Sequence, residues 1–398
     1  MVFVQSYKII PILMIFRLNQ INLSNVITKI SAAALVVSLA ACGGGTDTAT
    51  NTTGGDTGSE APAASDSGEV KLVLNEQVNL VGAGASFPAP LYQRWFQEFS
   101  QNTQNLQIDY QSVGSGAGVE RFTQGLVQFG ASDVAMSDEE IAQVDRGVLM
   151  LPMTAGSIVL AYNLPGVDGE LKLSRDNYVN ILLGNITNWN DPAIAANNPD
   201  LQLPDQPITV VYRSDGSGTT GVFTKHLSSI SPDWEQQVGE GKTVQWPTGI
   251  GGAKNDGVAA QLTQTPGAIG YVEFGFAESA GLPMASLENQ SGNYIKPTND
   301  AASKTLEAVE LPDDLRAFIT DPTGEESYPI VTYTWLLTYK EYPDPEVAKS
   351  VEALVEYGLT AGQEISPQLG YVKLPQNVRE KVAQQADQLT PDYQINVN

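Results

Sequence analysis

Residues Ile208 to Leu227 constrain this chain more than any other stretch. A β-branched run, Ile208-Thr-Val-Val211, leads through Tyr212 and Arg213 into the turn Ser214-Asp-Gly-Ser-Gly-Thr-Thr220. The apolar-periodic residues Val222, Phe223 and Leu227 follow directly. This pattern predicts a strand, a tight turn and the start of a helix. Such a turn presents first-turn N–H groups that no helical carbonyl can reach, beside hydroxyl donors and a fixed cation, so it is shaped to hold a small anion. Two more glycine-rich turns of similar build lie upstream, at Gly82-Ala-Gly-Ala-Ser-Phe-Pro88 and Gly114-Ser-Gly-Ala-Gly118. Three together point to one tetrahedral oxyanion gripped by several helix N-termini.

The same alternation continues along the chain. Strands are expected at Val78–Val81, Leu106–Val113, Ser157–Asn163, Ile208–Tyr212, Ala268–Val272 and Ile330–Tyr339. Helical patterns fall between them at Pro88–Ser100, Val119–Val127, Asp138–Gln143, Arg175–Leu183, Thr219–Leu227 and Gly257–Leu262. Two more, Glu346–Tyr357 and Gln376–Gln388, close the chain. Ser137-Asp-Glu-Glu140 reads as a capping box. Strands alternating with helices argue an α/β fold with mainly parallel sheets. The anion-type turns hang on two separate stretches, near 82–133 and near 213–219, so a cleft between two lobes would let both reach one ligand.

Residues 1–41 read as a cleaved signal and stand outside the fold argument. Lys29 precedes the apolar run Ile30 to Ala41, which ends in Leu39-Ala-Ala-Cys42. Small residues before the chain's single cysteine resemble a bacterial lipoprotein signal, with Cys42 as the lipidated first residue. Tyr7 to Phe16 adds a second apolar stretch too short to cross a bilayer. The segment 42–70 is, after Cys42, mostly Gly, Thr, Ser, Ala and acids without Lys or Arg, which reads as a flexible tether reaching on the order of 30 Å. The formal charge is −24, and residues 1–41 carry Lys8, Arg17 and Lys29 with no acid, so the processed chain stands at −27. A body so acidic repels nucleic acid. Screening confines its repulsion of an anionic ligand to about 8 Å, within which dense local donors prevail. With Cys42 committed to lipid, neither a disulfide nor a thiolate nucleophile is available, and a single histidine, His226, rules out most His-based metal sites. His226 is expected to cap or pack on its helix, and Trp95, Trp189, Trp246 and Trp335 to serve as core or hinge-surface aromatics.

Six segments resemble the phosphate-binding proteins of high-affinity phosphate ABC transporters, within the type II periplasmic binding proteins. They are G-A-G-A-S-F-P-A-P-L-Y (82–92), Y-Q-S-V-G-S-G-A-G-V (110–119), F-G-A-S-D (129–133), R-S-D-G-S-G-T (213–219), W-P-T-G-I-G-G-A-K-N-D-G-V-A-A (246–260) and P-G-A-I-G-Y-V-E (266–273). The resemblance implies a two-lobed fold of mixed sheets flanked by helices, with the ligand cleft between lobes. One lobe is then 71–154 plus the return segment 329–398, and the other is 155–328, with crossings near Met153–Gly156 and Tyr328–Thr332. It implies a phosphate site made of the hydroxyls of Ser86, Ser115, Ser217 and Thr219, the backbone N–H groups of Phe87 and Gly218, the Arg213 guanidinium and the Asp133 carboxylate. It further implies a monomer without cofactor or metal, tethered through Cys42 on the periplasmic side of a bacterial membrane. Its partner would be an ABC permease driven by cytoplasmic ATPase subunits. Ser86 stands where Thr is common, which keeps the hydroxyl, and Gly116 stands where a second Ser is frequent, which removes one peripheral contact.

The residue chemistry agrees independently. Ser and Thr donate to phosphate oxygens, Gly lets the backbone approach closely, and Arg offers a planar fork. Asp133 discriminates, because monohydrogen phosphate brings a proton to a carboxylate and sulfate brings none. Asp215, two residues from Arg213, is expected to pair with and orient the guanidinium. Each residue has a plainer reading: Asp133 as a loop acid or helix cap, Arg213 as a surface ion-pair residue, the serines as turn or N-cap residues. Their recurrence in three matching turns favours the site. The rival readings are a binder of sulfate, molybdate or tungstate, a phosphohydrolase, and an adhesion lipoprotein on a disused binding fold. Catalysis fits poorly. Neither Gly-Ser-Gly turn completes G-x-S-x-G, His226 lies about two and a half turns beyond Ser217, and the clustered ligands of a metallophosphatase are absent.

Overall fold

The computed structural model describes residues 70–397. In its first third, β1 (Val78–Gly84), β2 (Leu106–Ser112) and β3 (Phe129–Ser132) alternate with α1 (Ala89–Asn102), α2 (Ser115–Thr123) and the short α3 (Asp138–Ile141). The long β4 (Val148–Tyr162) follows, and then β5 (Lys172–Leu173), α4 (Arg175–Leu183), α5 (Pro192–Asn197), β6 (Thr209–Arg213), α6 (Gly218–Ile230) and α7 (Pro232–Gln237). Next come β7 (Ile250–Gly252), α8 (Lys254–Gln264), β8 (Ala268–Glu273), α9 (Phe274–Ser279), β9 (Ser286–Glu288), β10 (Tyr294–Ile295) and α10 (Asn299–Glu307). The chain returns through β11 (Val331–Tyr339) and ends in α11 (Pro345–Leu359), α12 (Ala361–Ile365) and α13 (Gln376–Ala386).

The principal sheet runs β2-β1-β3-β11-β4-β8-β6-β7, and β10-β9-β5 form a small second sheet. The fold is α/β and two-lobed. β1, β2 and β3 pair in parallel in one lobe, and β6, β7 and β8 do so in the other. The expectation of mainly parallel sheets fails in the middle, where β3–β11, β11–β4 and β4–β8 are all antiparallel. The sheet is therefore mixed, because β11 returns from the far end of the chain and enters between β3 and β4.

β4 carries this architecture. All its residues are buried, as are all those of β11, which fits central strands covered on both faces. Its first part, to Ser157, pairs with β11, and from Ile158 it pairs with β8. The sequence pattern shows only the part from Ser157, because Pro152 and Gly156 weaken a strand pattern. Pro152 is accommodated at a bulge: the register slips between Thr334, opposite Thr154, and Trp335, opposite Pro152. The other strands missed, β3, β5, β7, β9 and β10, are four residues or fewer and give no alternation to detect.

Helix α2 begins at Ser115, four residues before the expected start, despite Gly116 and Gly118. Gly114 at its N-cap adopts φ 90°, which a β-carbon would strain. Ser137 caps α3 through the predicted box, accepting from the Glu140 N–H while Glu140 accepts from the Ser137 N–H. The buried indoles of Trp95, Trp189, Trp234 and Trp335 each donate to a backbone carbonyl, of Gly362, Gly267, Gly239 and Leu315 respectively. Among the described residues, no helix is long and apolar enough to cross a membrane.

Candidate functional site

The candidate residues sit where strands of both lobes run into helix N-termini. Ser86 and Phe87 occupy the turn between β1 and α1, Ser115 opens α2, and Asp133 follows β3. From the other lobe, Arg213 ends β6, Ser217 is the N-cap of α6, and Gly218 and Thr219 are its first two helical residues. Ser217 accepts from the Thr220 N–H at 3.0 Å, and its own N–H donates to the Lys242 carbonyl at 2.8 Å. That turn is fixed by its own cap and by a neighbouring loop before any ligand is considered.

A hydrogen-bonded chain crosses between the lobes. Arg213 Nη1 donates to Thr219 Oγ1 at 3.3 Å, and Thr219 Oγ1 donates to Asp133 Oδ2 at 3.2 Å. Asp133 Oδ1 accepts from Thr334 Oγ1 at 3.0 Å, while the Asp133 N–H donates to Ser115 Oγ at 3.3 Å. The guanidinium is gripped by Asp215, with Nε to Oδ1 at 2.8 Å and Nη2 to Oδ2 at 2.6 Å. This bidentate geometry leaves Nη1 as the arm aimed at Thr219. The Arg213 side chain is 1% exposed, so a full charge is held inside the protein by one paired carboxylate. The Arg213 N–H donates to the Tyr271 hydroxyl, which also shares a 2.6 Å bond with Thr220 Oγ1.

Asp133 is 1% exposed. Burial pushes its carboxyl up to about 6, against the opposing pull of the Thr334 hydroxyl, the Arg213 charge and the Thr219 hydroxyl and N–H. It is therefore still ionised at neutral pH, but at a cost. Burial also acts on Asp215, yet Arg213 and the Lys254 N–H outweigh it and hold that carboxyl below its ordinary range. Burial drives His226 down to about 4, so the one imidazole is neutral and adds no positive charge. Its Nε2 lies 2.9 Å from the Tyr178 hydroxyl, across to α4 rather than toward Ser217. The positive potential here comes from Arg213 and from dipoles, the hydroxyls and the N-termini of α1, α2 and α6.

The lobes approach closely. A β-carbon placed on Gly218 would lie 2.5 Å from Ser115 Oγ and 2.8 Å from the Asp133 backbone nitrogen. The Gly116 N–H donates to the Gly216 carbonyl at 2.9 Å, and Lys242 Nζ meets Glu140 Oε1 at 2.7 Å. Gly116, at the position where a second serine is frequent, thus contributes backbone contact between the lobes.

Asp133, Thr219, Arg213 and Asp215 form one connected group, and Ser115 joins it through the Asp133 N–H. Ser217 and Gly218 flank it on α6. Ser86 and Phe87 bond to none of these. Ser86 Oγ accepts from Asn255, and the Phe87 carbonyl accepts from the Tyr371 hydroxyl at 2.6 Å. Cys42 lies outside the described residues. Thr334, Thr332, Tyr271 and Asn255 join the site without a signal in the local sequence. Thr332 and Thr334 are two apart on β11, a spacing that puts both on one face, where Thr332 Oγ1 bonds the Asp133 carbonyl. Asn255 lies within the family-like segment 246–260.

The PBP superfamily domain model matches residues 47–361. The phosphate-binding protein PstS of Haemophilus influenzae is 40% identical over 310 residues, covering 77% of this chain and 92% of that protein. The protein of the same name from Methanocaldococcus jannaschii is 37% identical, with 74% and 82% covered. A high-affinity periplasmic phosphate-binding protein (PfluDING), solved with phosphate bound, superposes with a TM-score of 0.64 at 21% identity, covering 77% of this chain and 93% of that one. A phosphate-binding protein from Stenotrophomonas maltophilia gives 0.60 at 19%, with the same coverage. At these identities the two structures speak for the fold.

Proposed function

The chain belongs to the PstS phosphate-binding proteins of the PBP superfamily, and from that membership we propose that its cleft captures inorganic phosphate outside the cytoplasm and hands it to an ABC-type permease. The observation that carries this is the buried chain Arg213–Thr219–Asp133, which joins the lobes at the N-terminus of α6. An anion there meets donors from both sides, so binding favours closure. The phosphate ligands in this proposal are the hydroxyls of Ser86, Ser115 and Ser217, the Thr219 hydroxyl once its single proton turns from Asp133 to the anion, the N–H groups of Phe87 and Gly218, the Arg213 guanidinium, and Asp133 as proton acceptor. Asp215 orients Arg213.

Asp133 favours phosphate over the other oxyanions. Monohydrogen phosphate offers an O–H to an ionised carboxylate, whereas sulfate sets a lone pair and full charge against it, at more than about 1–3 kcal/mol. Transport duty rather than catalysis is supported by the relatives' names and by His226, whose Nε2 is engaged with Tyr178.

The proposed division into 71–154 with 329–398, and 155–328, is supported by the exchange of partners of β4 at Ser157–Ile158. The proposed anchor at Cys42, the linker 42–70 and the monomeric state rest on the sequence pattern and the family. Calorimetry on the purified protein with phosphate, sulfate and arsenate tests the whole proposal. Tight phosphate binding with little heat from sulfate is expected. Absent phosphate binding, or equal binding of sulfate, overturns it.

A further inference from the structure

Asn255 stands in the first turn of α8, fully buried, and reaches across the lobes to Ser86. Its backbone N–H donates to Ser86 Oγ at 3.2 Å, and its side-chain Nδ2 donates to the same oxygen at 3.0 Å. The orientation of the amide is fixed, because Oδ1 accepts the Glu273 N–H at 3.1 Å and Nδ2 must therefore face Ser86. The N-cap of α8 is Ala253, which brings no capping side chain. The hydroxyl of Ser86 supplies that acceptor from the opposite lobe.

A serine hydroxyl has two lone pairs and one proton. With both lone pairs met by Asn255, the proton has to point to a different acceptor. Serine, unlike a β-branched residue, is not held in one χ1 rotamer by its own side chain, so the neighbour decides where that proton goes. We propose that Asn255 is a positioning residue that commits the Ser86 hydroxyl to act as a donor to the bound oxyanion, and does so when the lobes meet. Asn255 touches no ligand itself. It couples closure to ligand grip, because the lobe that carries Asn255 sets the polarity of a donor on the other. This rests on the phosphate reading of the same site.

The test is a double-mutant cycle with Ser86→Ala and Asn255→Ala, read by phosphate calorimetry, by the phosphate dissociation rate and by thermal unfolding without ligand. Asn255→Ala in the otherwise unchanged protein should weaken phosphate roughly threefold to tenfold, mainly through faster release, the loss expected for one hydrogen bond. In the Ser86→Ala background the same change should cost less than about twofold, since no hydroxyl remains to orient. A merely structural Asn255 would impose equal losses in both backgrounds, and that result overturns the proposal. Asn255→Asp guards against a folding failure, because it keeps the acceptor for the Glu273 N–H while reversing the group facing Ser86. It should weaken phosphate at least as much as Asn255→Ala, and unchanged affinity would refute the role. Failure of the unmutated protein to bind phosphate would instead overturn the underlying phosphate reading.

Discussion

Replacing Asp133 by asparagine separates the charge of this residue from its shape. The carboxyl is moved by burial from 3.8 to about 6. A raised carboxyl value means that the fold is favoured when the group is protonated, and that this advantage is lost as pH rises through the folded value. At about 1.4 kcal/mol per tenfold, keeping Asp133 ionised at pH 7.5 therefore costs the ligand-free protein about 3 kcal/mol. At pH 5 the cost is roughly half of that, at pH 4 it is about 0.5 kcal/mol, and by about pH 3 it vanishes. An asparagine side chain at this position would carry no such cost, and its amide still finds the Thr334 and Thr219 hydroxyls. Urea unfolding of ligand-free Asp133→Asn against the parent should show the variant more stable by up to about 3 kcal/mol at pH 7.5, with the gap closing as pH falls toward about 3. A binding residue kept ionised at the expense of stability accounts for that pattern. Calorimetry on the same samples should show sulfate binding appear in the variant at pH 7.5, with phosphate weakened but measurable. In the parent, sulfate binding should emerge only as pH drops through about 6. A stability difference that ignores pH, or sulfate exclusion unchanged in the variant, would refute the role assigned to this carboxylate.

Arg213→Ala should weaken phosphate roughly a hundredfold or more, the worth of charge-assisted bonds in a buried site. Lys254→Ala, whose ammonium lies 3.8 Å from Asp256 at the surface, should change it little, and equal losses would relocate the site. Gly218→Ala places a methyl group against Ser115 and the Asp133 backbone. It should spread the lobes and weaken phosphate roughly ten- to hundredfold, with thermal unfolding of the ligand-free form nearly unchanged; affinity within threefold would count against closure at this contact. Labelled fatty acid should enter the parent and not Cys42→Ala, and incorporation into both would remove the proposed anchor.

Local chemistry was legible in the sequence because it is encoded within a few residues. The strand-turn-helix at 208–227 shows in its β-branched run, its glycines and its apolar period. The Arg213–Asp215 pair is readable at a separation of two, and the Ser137–Glu140 box at three. Helix α4 was expected at Arg175–Leu183, where it is found. Short strands and the first half of β4 were not legible, since four residues carry no period and Pro152 contradicts a strand until a bulge absorbs it.

The amino-acid sequence thus determined an α/β chain with three donor-rich turns and an aspartate, Asp215, two residues from an arginine, Arg213. Only the tertiary structure decided what those groups meet. Asp133 finds Thr219 and Thr334 across separations of 86 and 201 residues, and Ser86 finds Asn255 across 169. The insertion of β11 between β3 and β4 brings Thr334 to the carboxylate, and the approach of the lobes brings α8 to Ser86. Propensity acts over a turn of backbone, whereas those contacts depend on the path of the whole chain and on the burial that only packing supplies.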